Sequence, residues 1–146
     1  MSSSFSHLGI CVSDLEVSLR FYCEGLGFVE VAAHDVGEEF ATLMEVDGVR
    51  LRSRMIAKDG LTVELLGFEV PGVTGDGSRR PMNRRGLTHL SFRVDDVAST
   101  AATIEDLGGT VLRSTRTEVP TGGMTLEFIY CTDPDGVRIE LMDLGS

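Results

Sequence analysis

Two stretches of the chain repeat one another, and this repeat limits the possible fold more than any other feature of the sequence. Ser6–Leu15 resembles Thr88–Val97 at an offset of 82 residues, and each stretch leads into a helical pattern. A second pair, Asp59–Leu66 and Asp135–Met142, is offset by 76 residues. A sequence that repeats in this way predicts two modules of similar structure.

Hydrophobic periodicity predicts the order βαβββ in each half of the chain. The predicted elements are a strand at 5–12, a helix begun by Ser13 or Asp14, strands at 28–34, 49–57 and 61–68, a strand at 87–94, a helix at 96–107, and strands near 110–115, 124–131 and 137–143. Residues 38–44 fit either a short helix or a strand. The predicted fold is therefore α+β, with two βαβββ modules pairing into a curved, cavity-forming mixed sheet. The expected boundaries within one domain (1–146) are module 1 at about 5–68, a connection at about 69–85 and module 2 at about 86–143.

Composition and charge argue against several functional classes. A chain of 146 residues with 42% hydrophobic residues is long and apolar enough to bury a core. Its formal net charge of −10 disfavours nucleic acid and anionic membrane surfaces as partners. Neither a secretory signal nor a membrane-spanning apolar run is expected, and the three scattered cysteines do not form a disulfide framework. The expected location is the cytoplasm.

Alternation along four predicted strands places one polar side chain from each on the face away from the helix. Apolar neighbours such as Leu8 and Ile10 are expected to pack under the helix, so His7 points to the opposite, cavity side. The same argument places Glu64, His89 and Glu140 on the cavity side of their strands. Each half therefore contributes one histidine and one glutamate at matching positions of the repeat.

Two imidazoles and two carboxylates form a donor set for a divalent first-row metal. Zinc, nickel, cobalt, manganese and iron accept this mixture of nitrogen and oxygen ligands, whereas calcium prefers more oxygens. An octahedral ion held by four protein ligands has two further positions, which two substrate oxygens can occupy. The alternative interpretation is that these are ordinary polar side chains on strand surfaces.

At these residues the sequence resembles the vicinal oxygen chelate superfamily, which includes glyoxalase I, methylmalonyl-CoA epimerase, extradiol dioxygenases and drug-resistance proteins. The resemblance covers roughly residues 5–143, and its most specific segments are His7–Ile10 with Arg20–Phe28, Gly86–Val97 and Asp133–Leu141. The metal positions of the superfamily match His7, Glu64, His89 and Glu140. Enzymes like glyoxalase I carry this full set, whereas epimerases usually have glutamine where Glu64 stands.

The resemblance implies a lyase or isomerase that depends on a divalent metal and acts on a small-molecule substrate. The metal would stabilise an enediolate while one carboxylate, Glu64 or Glu140, removes a proton next to a carbonyl group. Two alternatives stay open: an acyl-CoA epimerase of the methylmalonyl-CoA type, and a resistance-type protein that binds a small molecule or antibiotic without turnover. The resemblance also implies a homodimer.

Four further residues are candidates for substrate contact. Arg50, Arg52 and Arg54 alternate with apolar residues and would line the cavity side if those apolar residues pack under the helix. There they could hold a carboxylate, a phosphate or a thioester-linked nucleotide; the alternative is a solvated strand face. Cys11 is predicted to lie on the same face as His7. It is either a thiol that contacts the substrate or a small apolar side chain that fills space. The third histidine, His34, is expected to be an ordinary surface residue.

Overall fold

The computed structural model describes residues 2–145, which form two compact units that divide after Gly75. Each unit contains one sheet of four strands and a helix that covers one of its faces. The βαβββ order predicted for each half is therefore confirmed. Within the described residues, no helix is long and apolar enough to cross a membrane.

Unit 1 holds the first four strands. Its elements are β1 (Leu8–Cys11), α1 (Leu15–Arg20) continued by a π-helical turn (Phe21–Gly25), β2 (Val29–Val36), a 3-10 turn (Glu38–Phe40), α2 (Ala41–Met44), β3 (Arg50–Lys58) and β4 (Leu61–Val70). The strand order is β1-β4-β3-β2, with β1 parallel to β4 and the other pairs antiparallel. The segment 38–44, for which sequence left helix and strand open, is helical.

Helix α1 begins at a side-chain cap and ends in an aromatic cluster. The Asp14 carboxylate accepts a hydrogen bond from the Val17 amide at 3.1 Å, which satisfies one of the free donors of the first turn. Phe21, Tyr22 and Phe28 are buried, with edge-to-face ring contacts at 5.1 and 5.8 Å. The contact between Tyr22 and Phe28 ties the end of the helix to the residue directly before β2.

A two-residue turn fixes the register of β3 and β4. Asp59 and Gly60 both have positive φ, 50° and 81°, as the tightest hairpin turns require. Lys58 consequently lies opposite Leu61, and counting back along both strands places Met55 opposite Glu64. The turn therefore decides which side chains of β3 share a face with Glu64.

Unit 2 repeats this design with a longer β6 and a shorter β8 than the corresponding strands of unit 1. Its elements are β5 (Leu90–Arg93), α3 (Val97–Asp106), β6 (Thr110–Thr121), β7 (Met124–Thr132) and β8 (Arg138–Asp143), and the strand order is β5-β8-β7-β6. Strand β6 continues beyond the predicted end near 115, because a tight turn at Gly122 and Gly123 lets Thr121 pair with Met124. Asp96 caps α3 by accepting from the Ser99 amide at 2.8 Å.

Each sheet has a covered face, under α1 or α3, and an opposite face, here termed the open face. Val63 and Leu65 are fully buried on the covered face of unit 1, as Ile139 and Leu141 are in unit 2. In unit 1 part of the open face is also packed, because Ala41, Val49 and Leu51 form a second buried cluster with α2. The polar residues between these apolar positions lie on the open face.

Candidate metal centre

His7 and Glu64 meet on the open face of unit 1. Glu64 lies between the buried Val63 and Leu65 of β4, and β1 runs parallel to this strand with Gly9 in register with Glu64. His7 directly precedes β1, and its Nε2 atom is 3.1 Å from Oε2 of Glu64. The His7 side chain is 36% exposed and that of Glu64 18%, so the pair is shielded but reachable.

The same arrangement recurs in unit 2. His89 precedes β5, Glu140 lies in β8 between the buried Ile139 and Leu141, and Nε2 of His89 is 3.2 Å from Oε2 of Glu140. The side chains are 25% and 19% exposed. Two histidine–glutamate pairs with nearly the same geometry thus stand at the repeat positions that the sequence singled out.

A hydroxyl group orients each histidine ring. Nδ1 of His7 is 2.8 Å from the Ser6 hydroxyl, and Nδ1 of His89 is 2.9 Å from the Thr88 hydroxyl. A hydroxyl that accepts the Nδ1 proton leaves the lone pair on Nε2, the nitrogen that faces the carboxylate. This outer hydrogen bond is typical of histidines that ligate metals.

The donor atoms of each pair are spaced as two neighbouring ligands of one ion. Ligands at right angles, each about 2.1 Å from a metal, stand about 3 Å apart. The observed separations of 3.1 and 3.2 Å match this spacing. Across residues 2–145, no three His, Cys, Asp or Glu side chains come close enough together to bind an ion. The structure therefore brings His7 to Glu64 and His89 to Glu140, and each unit carries half of the predicted ligand set.

A concavity of about 540 Å³ lies beside Glu64 in unit 1. Its lining comprises Ala33, His34, Asp35, Val36, Phe40, Met44, Ser53 and Glu64. The walls combine apolar side chains from the α2 region with polar groups on β2 and β3, a mixture found in small-molecule sites. His34, which sequence predicted to be an ordinary surface residue, lines this concavity.

Ser53 is a functional candidate that the sequence analysis did not identify. Its hydroxyl donates a hydrogen bond to Oε1 of Glu64 at 2.6 Å, and the residue is 1% exposed. The two carboxylate oxygens of Glu64 thus have different partners: Oε1 accepts from Ser53, and Oε2 faces His7. The turn at Asp59–Gly60 could have identified Ser53 from the sequence, because this turn sets the register of β3 and β4. That register places Ser53 on the same face as Glu64.

An aromatic ring flanks the pair in unit 2. Tyr130 lies opposite Glu140 in the antiparallel register and contacts the His89 ring edge-to-face at 5.6 Å. The guanidinium of Arg138 lies 4.8 Å from the centre of the Tyr130 ring. Burial raises the pKa of the Tyr130 hydroxyl, the Glu140 carboxylate raises it further, and Arg138 opposes the rise. Tyr130 therefore stays protonated at neutral pH.

The prediction that the arginines of β3 line the cavity side is wrong for two of them. Arg52 and Arg54 lie opposite Gly67 and Leu65, which puts them on the covered face. Arg52 forms an ion pair with Glu16 of α1 at 3.0 Å. Arg54 contacts Glu30 at 3.6 Å and Asp35 at 3.5 Å on β2.

The physical reason lies in the packing of Leu51. This residue is buried by α2 on the open face. An apolar residue on β3 therefore does not have to lie on the covered face, under α1. Arg50 lies beyond a register shift at the start of β3 and is exposed, and its contact with a substrate stays a prediction. Cys11 is exposed at the far end of β1, four residues and hence about 13 Å along the strand from His7; its contact with substrate also stays a prediction.

Curated relatives of similar length match almost the whole chain. It is 31% identical over 140 residues to a probable lactoylglutathione lyase of Synechocystis, covering 96% of this chain and 95% of the relative. It is 22% identical over 141 residues to an ethylmalonyl-CoA/methylmalonyl-CoA epimerase of Cereibacter sphaeroides, covering 97% and 98%. Both matches extend over the two histidine–glutamate pairs.

Solved structures share the fold. A glyoxalase family protein from Bacillus cereus superposes with a TM-score of 0.78 at 20% identity, over 95% of this chain and 92% of that one. The fosfomycin resistance protein FosX from Listeria monocytogenes, in a complex with Mn(II) and sulfate, gives a TM-score of 0.56 at 19% identity, over 100% and 95%.

The family assignment rests on a match that spans both units. The family model described as Glyoxalase/Bleomycin resistance protein/Dioxygenase superfamily matches residues 4–141. This range contains every strand of both sheets up to the middle of β8 and all four residues of the two pairs. The chain belongs to the glyoxalase/bleomycin resistance protein/dioxygenase superfamily.

Proposed function

We propose that this protein is a metal-dependent lyase or isomerase of the glyoxalase I type. In this proposal His7, Glu64, His89 and Glu140 bind one divalent cation, drawn from nickel, zinc, cobalt, manganese and iron. The observation that carries the proposal is the recurrence of one His–Glu geometry, at 3.1 and 3.2 Å, in both units. The relative named as a probable lactoylglutathione lyase supports this class, and the Mn(II) in the FosX structure supports a divalent cation.

The bound cation would supply Lewis acidity that stabilises negative charge on the oxygens of the substrate. The residues of the chain supply the proton transfer. A carboxylate oxygen of Glu64 or Glu140 takes the proton from the carbon next to a carbonyl group and returns it to the neighbouring carbon. The partly buried setting of both glutamates, 18% and 19% exposed, excludes most of the water that would compete for this proton.

The chemistry can be tested with the protein loaded with each metal in turn. Hemithioacetals are the first substrates to assay, and formation of the thioester is the readout. Replacing Glu140 by glutamine keeps the shape and removes the base, so a fall in kcat of about 10²–10⁴-fold is expected if Glu140 is the base. The same fall for Glu64→Gln, with turnover retained in Glu140→Gln, would assign the base to unit 1.

Glu127→Gln is the matched control for these variants. Glu127 lies on β7 and forms an ion pair with Arg116 at 2.8 Å, on the covered face of the same sheet. Its replacement is expected to leave turnover within about twofold of the wild type. Turnover that survives both Glu64→Gln and Glu140→Gln would reject the proposed chemistry.

The epimerase function is a second candidate, favoured by the relative named as an ethylmalonyl-CoA/methylmalonyl-CoA epimerase. It needs the same proton abstraction from the carbon next to a thioester. Incorporation of solvent deuterium into methylmalonyl-CoA would support this function, and no exchange would reject it. A melting shift with a bound ligand but no turnover would favour the non-catalytic alternative.

The homodimer belongs to the same proposal. Sedimentation equilibrium of the metal-free and metal-loaded protein measures the mass directly. We expect twice the mass of the 15.8 kDa chain in both states, and a monomer in both would reject the homodimer.

A further inference from the structure

We propose that Ser53 is a positioning residue that holds Glu64 ready to bind the cation and makes the two histidine–glutamate pairs unequal. This inference rests on the proposed metal function and concerns how tightly the ion binds. It arises from a buried hydrogen bond in unit 1 whose place in unit 2 is taken by an aromatic ring.

The hydrogen bond from Ser53 to Glu64 is short and protected. A hydroxyl that donates to a carboxylate typically stands 2.5–2.7 Å from it, and the observed separation is 2.6 Å. Ser53 is 1% exposed, so water does not compete for its hydroxyl. The bond fixes Oε1 of Glu64 and leaves Oε2 turned toward Nε2 of His7, 3.1 Å away.

The corresponding place in unit 2 has no hydroxyl. Met55 lies opposite Glu64 in β3–β4, and Tyr130 lies opposite Glu140 in β7–β8. Two residues before Met55 on β3 unit 1 carries Ser53, and two residues before Tyr130 on β7 unit 2 carries Phe128. A phenyl ring cannot donate an O–H bond to a carboxylate, so Glu140 lacks this particular restraint.

The chemical consequence is preorganisation. A glutamate side chain loses rotamer freedom when it binds an ion, and this loss of entropy opposes binding. Ser53 holds Glu64 in one orientation before the ion arrives, so less of that freedom is lost on binding. Partners that hold a metal ligand from the outside typically change metal affinity by about 10–100-fold when they are removed.

The test compares two substitutions of the same shape, Ser53→Thr and Ser53→Val, which differ by the hydroxyl alone. Each metal-free protein is titrated with Zn²⁺ and Mn²⁺ in competition with a chelator of known affinity. We expect Ser53→Thr to bind within about threefold of the wild type and Ser53→Val to bind about 10–100-fold more weakly. The number of ions bound should be the same for both.

Ser99→Ala is the control for loss of a serine hydroxyl elsewhere, because Ser99 is exposed on α3. Circular dichroism and urea unfolding establish that each variant is folded, and because Thr and Val fill the same space, any packing penalty is shared. Equal affinities of the two variants, in a wild type that binds the metal, would overturn the role of Ser53 and leave the metal function standing. A wild type that binds neither ion would overturn both.

Discussion

Replacing Cys131 by alanine tests the alternation that places the metal-binding candidates on the open faces. Cys131 lies in β7 directly after Tyr130, and it pairs with Ile139 while Tyr130 pairs with Glu140. The thiol is therefore on the covered face, where it is fully buried. Burial raises the pKa of the Cys131 thiol from 9.0 to about 11, Glu105 adds to the rise and Arg113 opposes it.

The sign of the pH effect follows from linkage. Below pH 9 the thiol is protonated in the folded and in the unfolded state, so its ionisation does not change the free energy of unfolding. Above pH 9 the unfolded chain gains free energy by releasing this proton, while the folded protein keeps the proton until about pH 11. At pH 10 the unfolded thiol is about 90% ionised, which removes about 1.4 kcal/mol from the free energy of unfolding.

The assay is urea unfolding, followed by far-UV circular dichroism, of wild type and Cys131→Ala at pH 8 and pH 10. At pH 8 the variant is expected to be about 1 kcal/mol less stable, because the smaller side chain leaves a gap in the core. At pH 10 ionisation of the Cys131 thiol in the unfolded chain lowers the stability of the wild type but not that of the variant. The difference in the free energy of unfolding should therefore shift by about 1.4 kcal/mol in favour of the variant and change sign. A stability difference that is the same at both pH values, within about 0.5 kcal/mol, would refute the buried position of Cys131 and with it the assigned faces of β7 and β8.

Three further substitutions test separate parts of the structure. The hydroxyl of Ser18 is fully buried in α1 without a hydrogen-bond partner among residues 2–145, so Ser18→Ala should raise the free energy of unfolding by about 1 kcal/mol in urea; a loss of stability would contradict the orphaned hydroxyl. Asp96→Ala removes the cap of α3 and should lower the free energy of unfolding by about 1 kcal/mol, and no change would mean that the hydrogen bond to the Ser99 amide contributes nothing. Arg52→Ala breaks an exposed ion pair on the covered face, so metal affinity and KM should stay within about twofold of the wild type; a large rise in KM would return Arg52 to the substrate site.

The sequence predicted the elements and the faces of the four ligand candidates because polar and apolar residues alternate clearly around each of them. Glu64 and Glu140 stand between pairs of fully buried apolar residues, so a period of two identifies their face without knowledge of the strand order. His7 and His89 precede their strands by one residue, and the same pattern still places them correctly. The repeat then showed that the two arrangements are equivalent.

The arginines of β3 were misplaced because apolar residues lie on both faces of that strand. Leu51 is packed by α2 on the open face, while Ile56 is buried on the other face. The hairpin register resolves this ambiguity, because Lys58 opposite Leu61 requires Arg54 opposite Leu65. Counting across the Asp59–Gly60 turn was therefore a better guide than hydrophobicity alone.

His34 and Ser53 could not be recognised from the repeat. Their contribution depends on α2, which bounds the concavity beside His34, and on the cross-strand hydrogen bond that joins Ser53 to Glu64. The stretch 38–44 has no counterpart among the elements of unit 2, so comparing the halves gave no information about it. Tertiary packing, and not a local pattern, creates this part of the candidate site.

The number of metal ions bound per chain tests the central claim most directly. Metal-free protein is titrated with Zn²⁺, Ni²⁺, Co²⁺ and Mn²⁺ by calorimetry, alongside His7→Ala and His89→Ala. If the two histidine–glutamate pairs form one ligand set, the wild type binds one ion per chain, and either substitution lowers the affinity for that ion. Two ions per chain that are lost independently, or no ion at all, would contradict the account.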